Sequence, residues 1–268
     1  MDLTLTKHHG LGNDFLVLDV GQIDGDLDWS AQAREWCDRR RGIGADGLLL
    51  LERRPDGRLG MRLFNADGSP AEMSGNGIRC LVQAADRAAG EPGGRYVVDT
   101  AAGERIVEVL ERVDVDTSIL AAQMGEITQI SAPLGWERTR CHPDRPVAHL
   151  SLGNPHAVVG VDDVADVDLA ELGSLVPDIN LEVISPGPEH NAITMRVHER
   201  GVGITEACGT GACASAAAAL AWGLVPHSAP EVLVHMDGGD ARVSVDPVAG
   251  MATLVGPATF VATISVLL

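Results

Sequence analysis

The sequence predicts an α/β protein built as two related domains. AEMSGNGIRC, residues 71–80, and TEACGTGACA, residues 205–214, follow one pattern. Each has an acidic residue two places before a serine or cysteine, then Gly-x-Gly, then an apolar run suited to a helix. The equivalent positions Ser74 and Cys208 lie 134 apart (208 − 74), half of the 268-residue chain. Gly12-Asn13 and Gly153-Asn154 lie 141 apart, and Asn65 and Arg200, at the polar ends of β-type runs, lie 135 apart. A period this long is too coarse for a solenoid array and points to a doubled domain.

Each element follows from local pattern. TLTKHHGLGNDFLVLDV, from Thr4, alternates, carries a Gly-rich turn and ends in a β-type run. Residues 28–40 read as an amphipathic helix with apolar positions at Trp29, Ala33, Trp36 and Cys37, and Asp28 as its N-cap. GLLLLERRPDGRLGMRLFNADG reads as a hairpin closed by Pro-Asp-Gly. Residues 77–89 are helical by their Ala and Leu content. The strands RYVVDT, ERIVEVLE and TSILAAQM follow. After about Gly125 the pattern restarts. AHLSLGNPHAVVGVDD is strand–turn–strand, DLAELGSLV a helix, NAITMRVHERG a strand, and TEACGTGACASAAAALAWGL a loop opening a long Ala-rich helix. EVLVHM, ARVSVD, MATLVG and FVATISVLL close the chain as strands. The expected domains are residues 1–125, completed by 257–268, and residues 126–256.

Composition narrows the function classes. A net charge of −18 speaks against nucleic acid and against an anionic membrane surface, because phosphate binding needs clustered Lys and Arg. No apolar run reaches the roughly 18 residues that span a bilayer, and the N-terminus lacks the pattern of a signal peptide. A cytoplasmic location is the resulting expectation. Five cysteines without a Cys-x-x-Cys pair argue against a disulfide framework. Nine histidines without metal-ligand spacing argue against a metal centre. By their helical spacing Cys80 and Cys213 are core residues, and His156 stays open between a cleft residue and a structural imidazole.

The doubled element has its own chemistry. A Gly-rich loop leading into a helix presents free backbone N–H groups and the positive end of the helix dipole, which together bind a carboxylate. A cysteine there is expected to have its pKa lowered towards the thiolate. Two such helices facing each other would grip one carboxylate and place a proton acceptor and a proton donor on opposite faces of the adjacent carbon. Stereoinversion at an α-carbon requires that arrangement, with the N–H groups stabilising charge that develops on the carboxylate. No pyridoxal is needed, and Lys7 is the only lysine in the chain.

HGLGNDF, RGIGADGLL, FNADGSPAEMSGNGIRC, LGNPHAVV and HERGVGITEACGTGACA resemble the signature blocks of the diaminopimelate epimerases, in that family's order, from residue 9 to residue 214. The resemblance implies two pseudosymmetric α/β domains, each a curved mixed sheet wrapped around a central helix, with the active site in the interdomain cleft. It implies an enzyme without cofactor or metal that interconverts LL- and meso-diaminopimelate. Ser74 and Cys208 would occupy the catalytic positions. Gly75, Asn76, Gly209 and Thr210 would hold the reacting carboxylate through their backbone, and Asn13 and Glu199 would meet its ammonium. Asn65, Asn154, Asn180 and Arg200 would read the distant amino-acid end, Arg200 through a bidentate fork. A small-molecule partner is implied, and a homodimer is allowed.

Two positions depart from the family pattern. Ser74 stands where the family has cysteine, and a hydroxyl is no standing base without a partner to take its proton. A replaced cysteine, a slow natural epimerase and a different reaction, such as water loss from a hydroxylated amino acid, remain open. Ile204 stands where the family commonly has glutamate, and Glu206 is the nearby acid available to replace it. Beside the epimerase, two alternatives stand: a racemase or dehydratase of another amino acid such as hydroxyproline, and a catalytically silent binding homologue.

Overall fold

The computed structural model describes residues 2–23, 25, 27–89 and 93–267; the outer ends of the expected domains, Met1 and Leu268, lie outside them. The chain divides into two compact units, Met1–Ala122 with Gly256–Leu268, and Gln123–Val255.

The first unit contains β1 (Asp2–Gly10), β2 (Asn13–Asp19), α1 (Trp29–Cys37), β3 (Gly47–Arg53), β4 (Leu59–Asn65), β5 (Pro70–Ala71), α2 (Gly75–Ala88), β6 (Arg95–Thr100), β7 (Gly103–Arg112) and most of β8 (Thr117–Glu126). The second adds β9 (Thr128–Gln129), β10 (Val147–Ser151), β11 (Pro155–Gly160), α3 (Leu169–Leu175), β12 (Asn180–Pro186), β13 (Ala192–Glu199), β14 (Gly203–Thr205), α4 (Gly209–Trp222), β15 (Val232–Met236), β16 (Gly239–Val245) and the start of β17 (Met251–Leu267). The remainder of β17 belongs to the first unit.

In the first unit the pairing runs β17–β1–β2–β3–β4–β6–β7–β8, and β8 pairs back to β17, closing an eight-stranded barrel. Its ladders are antiparallel except β2–β3 and β4–β6, which are parallel. The second unit repeats that order. β10–β11 is antiparallel, β11–β12 parallel, β12–β13 antiparallel, β13–β15 parallel and β15–β16 antiparallel. The doubled element of the sequence therefore sits at one topological position in two copies of one pattern.

In each unit the strands pack around the helix that follows the short third hairpin strand. α2 packs against β1, β2, β3, β4 and β7, and α4 against β10, β11, β12, β13, β15 and β16. α4 is apolar around its circumference, as a helix surrounded by strands can be, and its run of alanines supplies side chains small enough to fit, whereas α2 also buries Arg79, Gln83 and Asp86. Cys80 and Cys213 are fully buried there, as their spacing predicts. A second layer lies outside the strands of each unit. Trp29, Ala33, Trp36 and Cys37 of α1 join Leu48 and Leu50 of β3, while Leu49 between them touches α2 at Gly77. Burial on both faces explains the unbroken leucines of GLLLL. α3 plays the same part in the second unit, with Leu169 against Val159, Leu181 and Val183.

Three sequence expectations change. The first helix keeps Asp28 as its N-cap, the carboxylate accepting from Ala31 N at 3.0 Å, but ends at Cys37 rather than Arg40. There Asp38 turns its carboxylate back onto the N–H groups of Arg40 and Arg41, a local bond that competes with the helix. The separate strands expected at 251–256 and 260–268 are one strand, β17. Pro257 is tolerated because it lies between residues paired with β16, ending at Val255, and those paired with β1, starting at Thr259. Finally, NLEVISP is a buried strand, β12, with no counterpart in the sequence reading.

One core histidine ties stability to pH. Gln83 Nε2 donates to the carbonyls of Asp116 and Ala258 (2.8 and 2.6 Å), so its Oε1 faces His8 and accepts from Nδ1–H at 2.7 Å. His8 Nε2 is buried without a partner, and burial pushes the imidazole down from 6.5 to about 4. The fold thus favours neutral His8. Its contribution is complete above pH 6.5 and is lost as pH falls towards 4, roughly 3 kcal/mol at about 1.4 kcal/mol per pH unit. Urea unfolding at pH 7 and pH 4 should show this loss, and His8→Asn, which cannot titrate, should flatten that part of the profile.

Candidate active site

Both doubled positions are helix N-caps with nearly the same backbone. Ser74 (φ −141, ψ 125) accepts from Gly77 N at 3.0 Å and opens α2. Cys208 (φ −130, ψ 115) accepts from Gly211 N at 3.4 Å through its sulfur and opens α4. An N-cap side chain that takes the third N–H leaves the first two unused by the cap. Those N–H groups belong to Gly75 and Asn76 in one copy and Gly209 and Thr210 in the other. The glycine three places on sits in a tight space in both copies. A Cβ at Gly77 would stand 3.1 Å from Ser74 Cβ, and one at Gly211 would stand 2.6 Å from Glu182 Oε1.

In the first unit the site residues form a braced network. Asn13 follows Gly12, whose φ of +83 makes the turn between β1 and β2. Its Nδ2 donates to Asp46 (2.8 Å), and its Oδ1 accepts from Asn76 Nδ2 (3.3 Å). Asn76 Oδ1 accepts from Arg79 (2.7 Å), which is fully buried and also donates to the Gly75 carbonyl (3.0 Å). Asp46 is held by Arg39 (2.7 Å), which pairs in turn with Asp14, the partner of Lys7 at 2.8 Å. Burial alone would raise the Asp14 carboxyl, but Arg39 and Lys7 outweigh it and hold the group below its ordinary range. Asn65 stays outside this network, since its Nδ2 donates to Ser69 Oγ at 3.0 Å within a turn.

In the second unit a chain of hydrogen bonds leads to the sulfur. Cys208 Sγ lies 3.5 Å from Thr210 Oγ1, which accepts from Asn154 Nδ2 at 3.2 Å. Asn154 Oδ1 lies 3.1 Å from His156 Nε2, and His156 Nδ1 lies 2.7 Å from Glu182 Oε1. Asn180 is a brace: its Nδ2 donates to the Pro155 carbonyl (3.0 Å) and its Oδ1 accepts from Arg200 N (2.9 Å). Arg200 is exposed, and half-buried Glu199 accepts from Thr205 Oγ1 at 2.5 Å. Ile204 is 45% exposed on β14, opposite His198, and Glu206 is exposed.

The electrostatics correct one expectation. Burial and the negative charges of Glu199 and Glu182 push the Cys208 thiol well above its ordinary value, against the opposing pull of Thr210 and the Gly211 N–H. The helix terminus does not prevail, so this sulfur is protonated at neutral pH. Burial likewise pushes Glu182 up, with His156 opposing. Within its own unit, Ser74 has no imidazole or carboxylate in hydrogen-bond contact to take its proton. Asp46, Arg79 and Glu182 were not found from sequence. An arginine inside the apolar run NGIRCLV, and a glutamate inside NLEVIS, were the available signals.

Among the described residues no helix is long and apolar enough to cross a membrane. Comparison with known proteins agrees with the repeated fold. The family model described as diaminopimelate epimerase matches residues 5–129 and 149–261. The diaminopimelate epimerase of Desulforapulum autotrophicum is 35% identical, the match covering 98% of each chain. That of Picosynechococcus sp. is 38% identical over 96% of each. Among solved structures, a phenazine biosynthesis protein of the PhzF family from Bacillus anthracis superposes with a TM-score of 0.77 at 14% identity, over all of both chains. A hydroxyproline epimerase from Agrobacterium vitis superposes with a TM-score of 0.69 at 18% identity, over 99% of this chain and 92% of its own. At these identities the two structures speak for the fold alone.

Proposed function

Since this isomerase chain belongs to the diaminopimelate epimerase family, we propose that it interconverts LL- and meso-diaminopimelate by removing the α-proton on one face and returning one on the other, without pyridoxal. One observation carries this reading: a nucleophile-type side chain caps the buried helix of each of two units with the same strand order. The N–H groups of each first helical turn, those of Gly75 and Asn76 and those of Gly209 and Thr210, meet the carboxylate beside the reacting carbon. A carbanion formed there delocalises onto that carboxylate, where fixed N–H dipoles act on the charge as it develops.

Cys208 is the working acid–base group. As a buried thiol beside Glu199 it resists losing its proton, and the substrate ammonium, meeting Glu199 and Asn13, cancels the nearest negative charge. The thiolate then becomes accessible at the moment the α-carbon is in place. Arg200 reads the distant carboxylate, and Asn180 holds Arg200 through its backbone N–H. Asn65 and Asn154 complete the selection for the distant amino-acid end.

Ser74 makes the two directions unequal. A hydroxyl without a base cannot remove an α-proton, so only the isomer whose proton faces Cys208 is deprotonated, and it is reprotonated mainly on the same face. In deuterium oxide, one diastereomer should therefore lose its α-proton signal faster than it converts, and the other should exchange slowly. Proton NMR with chiral separation of the products reads both quantities. Absence of exchange from either isomer, with turnover of a monocarboxylic imino acid such as hydroxyproline, would replace this reading by the second racemase class.

A further inference from the structure

We propose that Glu182 and His156 are positioning residues that set the direction of the hydrogen bond received by the Cys208 sulfur, acting through Asn154 and Thr210. The inference rests on reading Cys208 as the working base. It is carried by four contacts: Glu182 Oε1 to His156 Nδ1 at 2.7 Å, His156 Nε2 to Asn154 Oδ1 at 3.1 Å, Asn154 Nδ2 to Thr210 Oγ1 at 3.2 Å, and Thr210 Oγ1 to Cys208 Sγ at 3.5 Å.

The donors and acceptors fix the polarity. Asn154 Oδ1 only accepts, so His156 Nε2 carries a proton. His156 Nδ1 and Glu182 Oε1 then share a single proton, whichever atom it rests on, and the pair is neutral overall. The other end of the Asn154 amide must donate, and Thr210 Oγ1 receives it. Thr210 still has its own hydrogen to give, and a thiolate at Cys208, which can only accept, would receive it. A hydroxyl pointed this way stabilises the thiolate and opposes the burial and the charge of Glu199 that disfavour it.

The first unit shows what the arrangement changes. Asn13, at the equivalent Gly-Asn turn, is held by a carboxylate, Asp46, at its Nδ2 end. Its carbonyl is therefore the end turned towards the helix, where it accepts from Asn76. The Asn76 side chain faces Asn13 and Arg79, and among the described residues Ser74 receives the Gly77 N–H. The two units thus use one asparagine in opposite orientations, and only the second delivers a donor to its nucleophile. Glu182 and His156 are both fully buried. Glu182 Oε1 also fills the space that any Cβ at position 211 would need, which fixes its place beside the first turn of α4.

The test reads the sulfur without substrate, so its outcome is independent of which amino acid the enzyme turns over. Alkylation of Cys208 by iodoacetamide is followed on its peptide by mass spectrometry between pH 7 and pH 9, with fully buried Cys213 as the internal reference for unfolding. Thr210→Val should slow alkylation by about tenfold, as expected when one hydrogen bond to the charged form is lost. Thr210→Ser should stay within about twofold of the parent. Glu182→Ala should slow it as well, whereas Glu182→Gln, which can still bond His156 Nδ1, should not. A residue with a merely structural role gives the opposite sign, because loosening the site exposes the sulfur and speeds alkylation. Unchanged or faster alkylation in the Thr210→Val protein overturns the proposal. So does faster alkylation in Glu182→Ala, which would make Glu182 a nearby charge and nothing more.

Discussion

Replacing Ser74 with cysteine should raise the rate of net inversion between LL- and meso-diaminopimelate by about 10²- to 10⁴-fold, the range for a well-placed general acid or base. The structure explains why the variant should fold. Position 74 already has the backbone angles and the N–H contact that position 208 uses to hold a cysteine, and Gly77 matches Gly211 in keeping the space beside it open. Exchanging a hydroxyl for a thiol at the cap costs about 1 kcal/mol at most. What changes is acidity: a thiol at a helix N-terminus gives up its proton far more readily than a hydroxyl, so both faces of the α-carbon acquire a usable base. The signature is therefore more than a faster rate. Both diastereomers should exchange their α-proton in deuterium oxide at comparable rates, where the parent protein exchanges one. Chiral chromatography of the product mixture, with NMR of the α-proton, measures both. An inversion rate that does not move would mean that the first helix cap does not face the reacting carbon.

How far the sequence anticipated this site depends on whether the determining contacts are local. The two caps, the glycines behind them and the Gly-Asn turns are set within a few residues, and the 134-residue spacing made them visible together. The curved sheet wrapped around each helix was not in the residues themselves; it entered through the resemblance. Glu182 is 26 residues from His156 and meets it because β11 and β12 pair in parallel, with Val158 opposite Glu182. No local pattern announces such a pairing, and the strand that carries Glu182 was itself passed over because six consecutive buried residues lack alternation. The direction of the Cys208 pKa failed for the same reason. A helix N-terminus is legible in a sequence, but the burial of the sulfur and the approach of two carboxylates from β12 and β13 are properties of the assembled sheet.

Substituting Cys208 should remove the chemistry while leaving the grip on the substrate. Cys208→Ser keeps an acceptor for the Gly211 N–H, so α4 remains capped and the N–H groups of Gly209 and Thr210 stay directed at the carboxylate. Both cap positions would then carry hydroxyls, and neither could take a proton from carbon near neutral pH. Exchange should fall by a factor on the order of 10³ or more, as expected for loss of the only general base, while diaminopimelate affinity by calorimetry should change little. That separation matters, because binding that survives when the rate collapses places the sulfur in the transition state rather than in ground-state recognition. Thermal unfolding should shift by no more than a few degrees, since a single small side chain and one weak cap bond are altered. If exchange instead persisted in Cys208→Ser, the base would have to lie elsewhere. Glu199, half-buried and close enough to act on the sulfur, would then be the group to change next, and the thiol would be reduced to an N-cap.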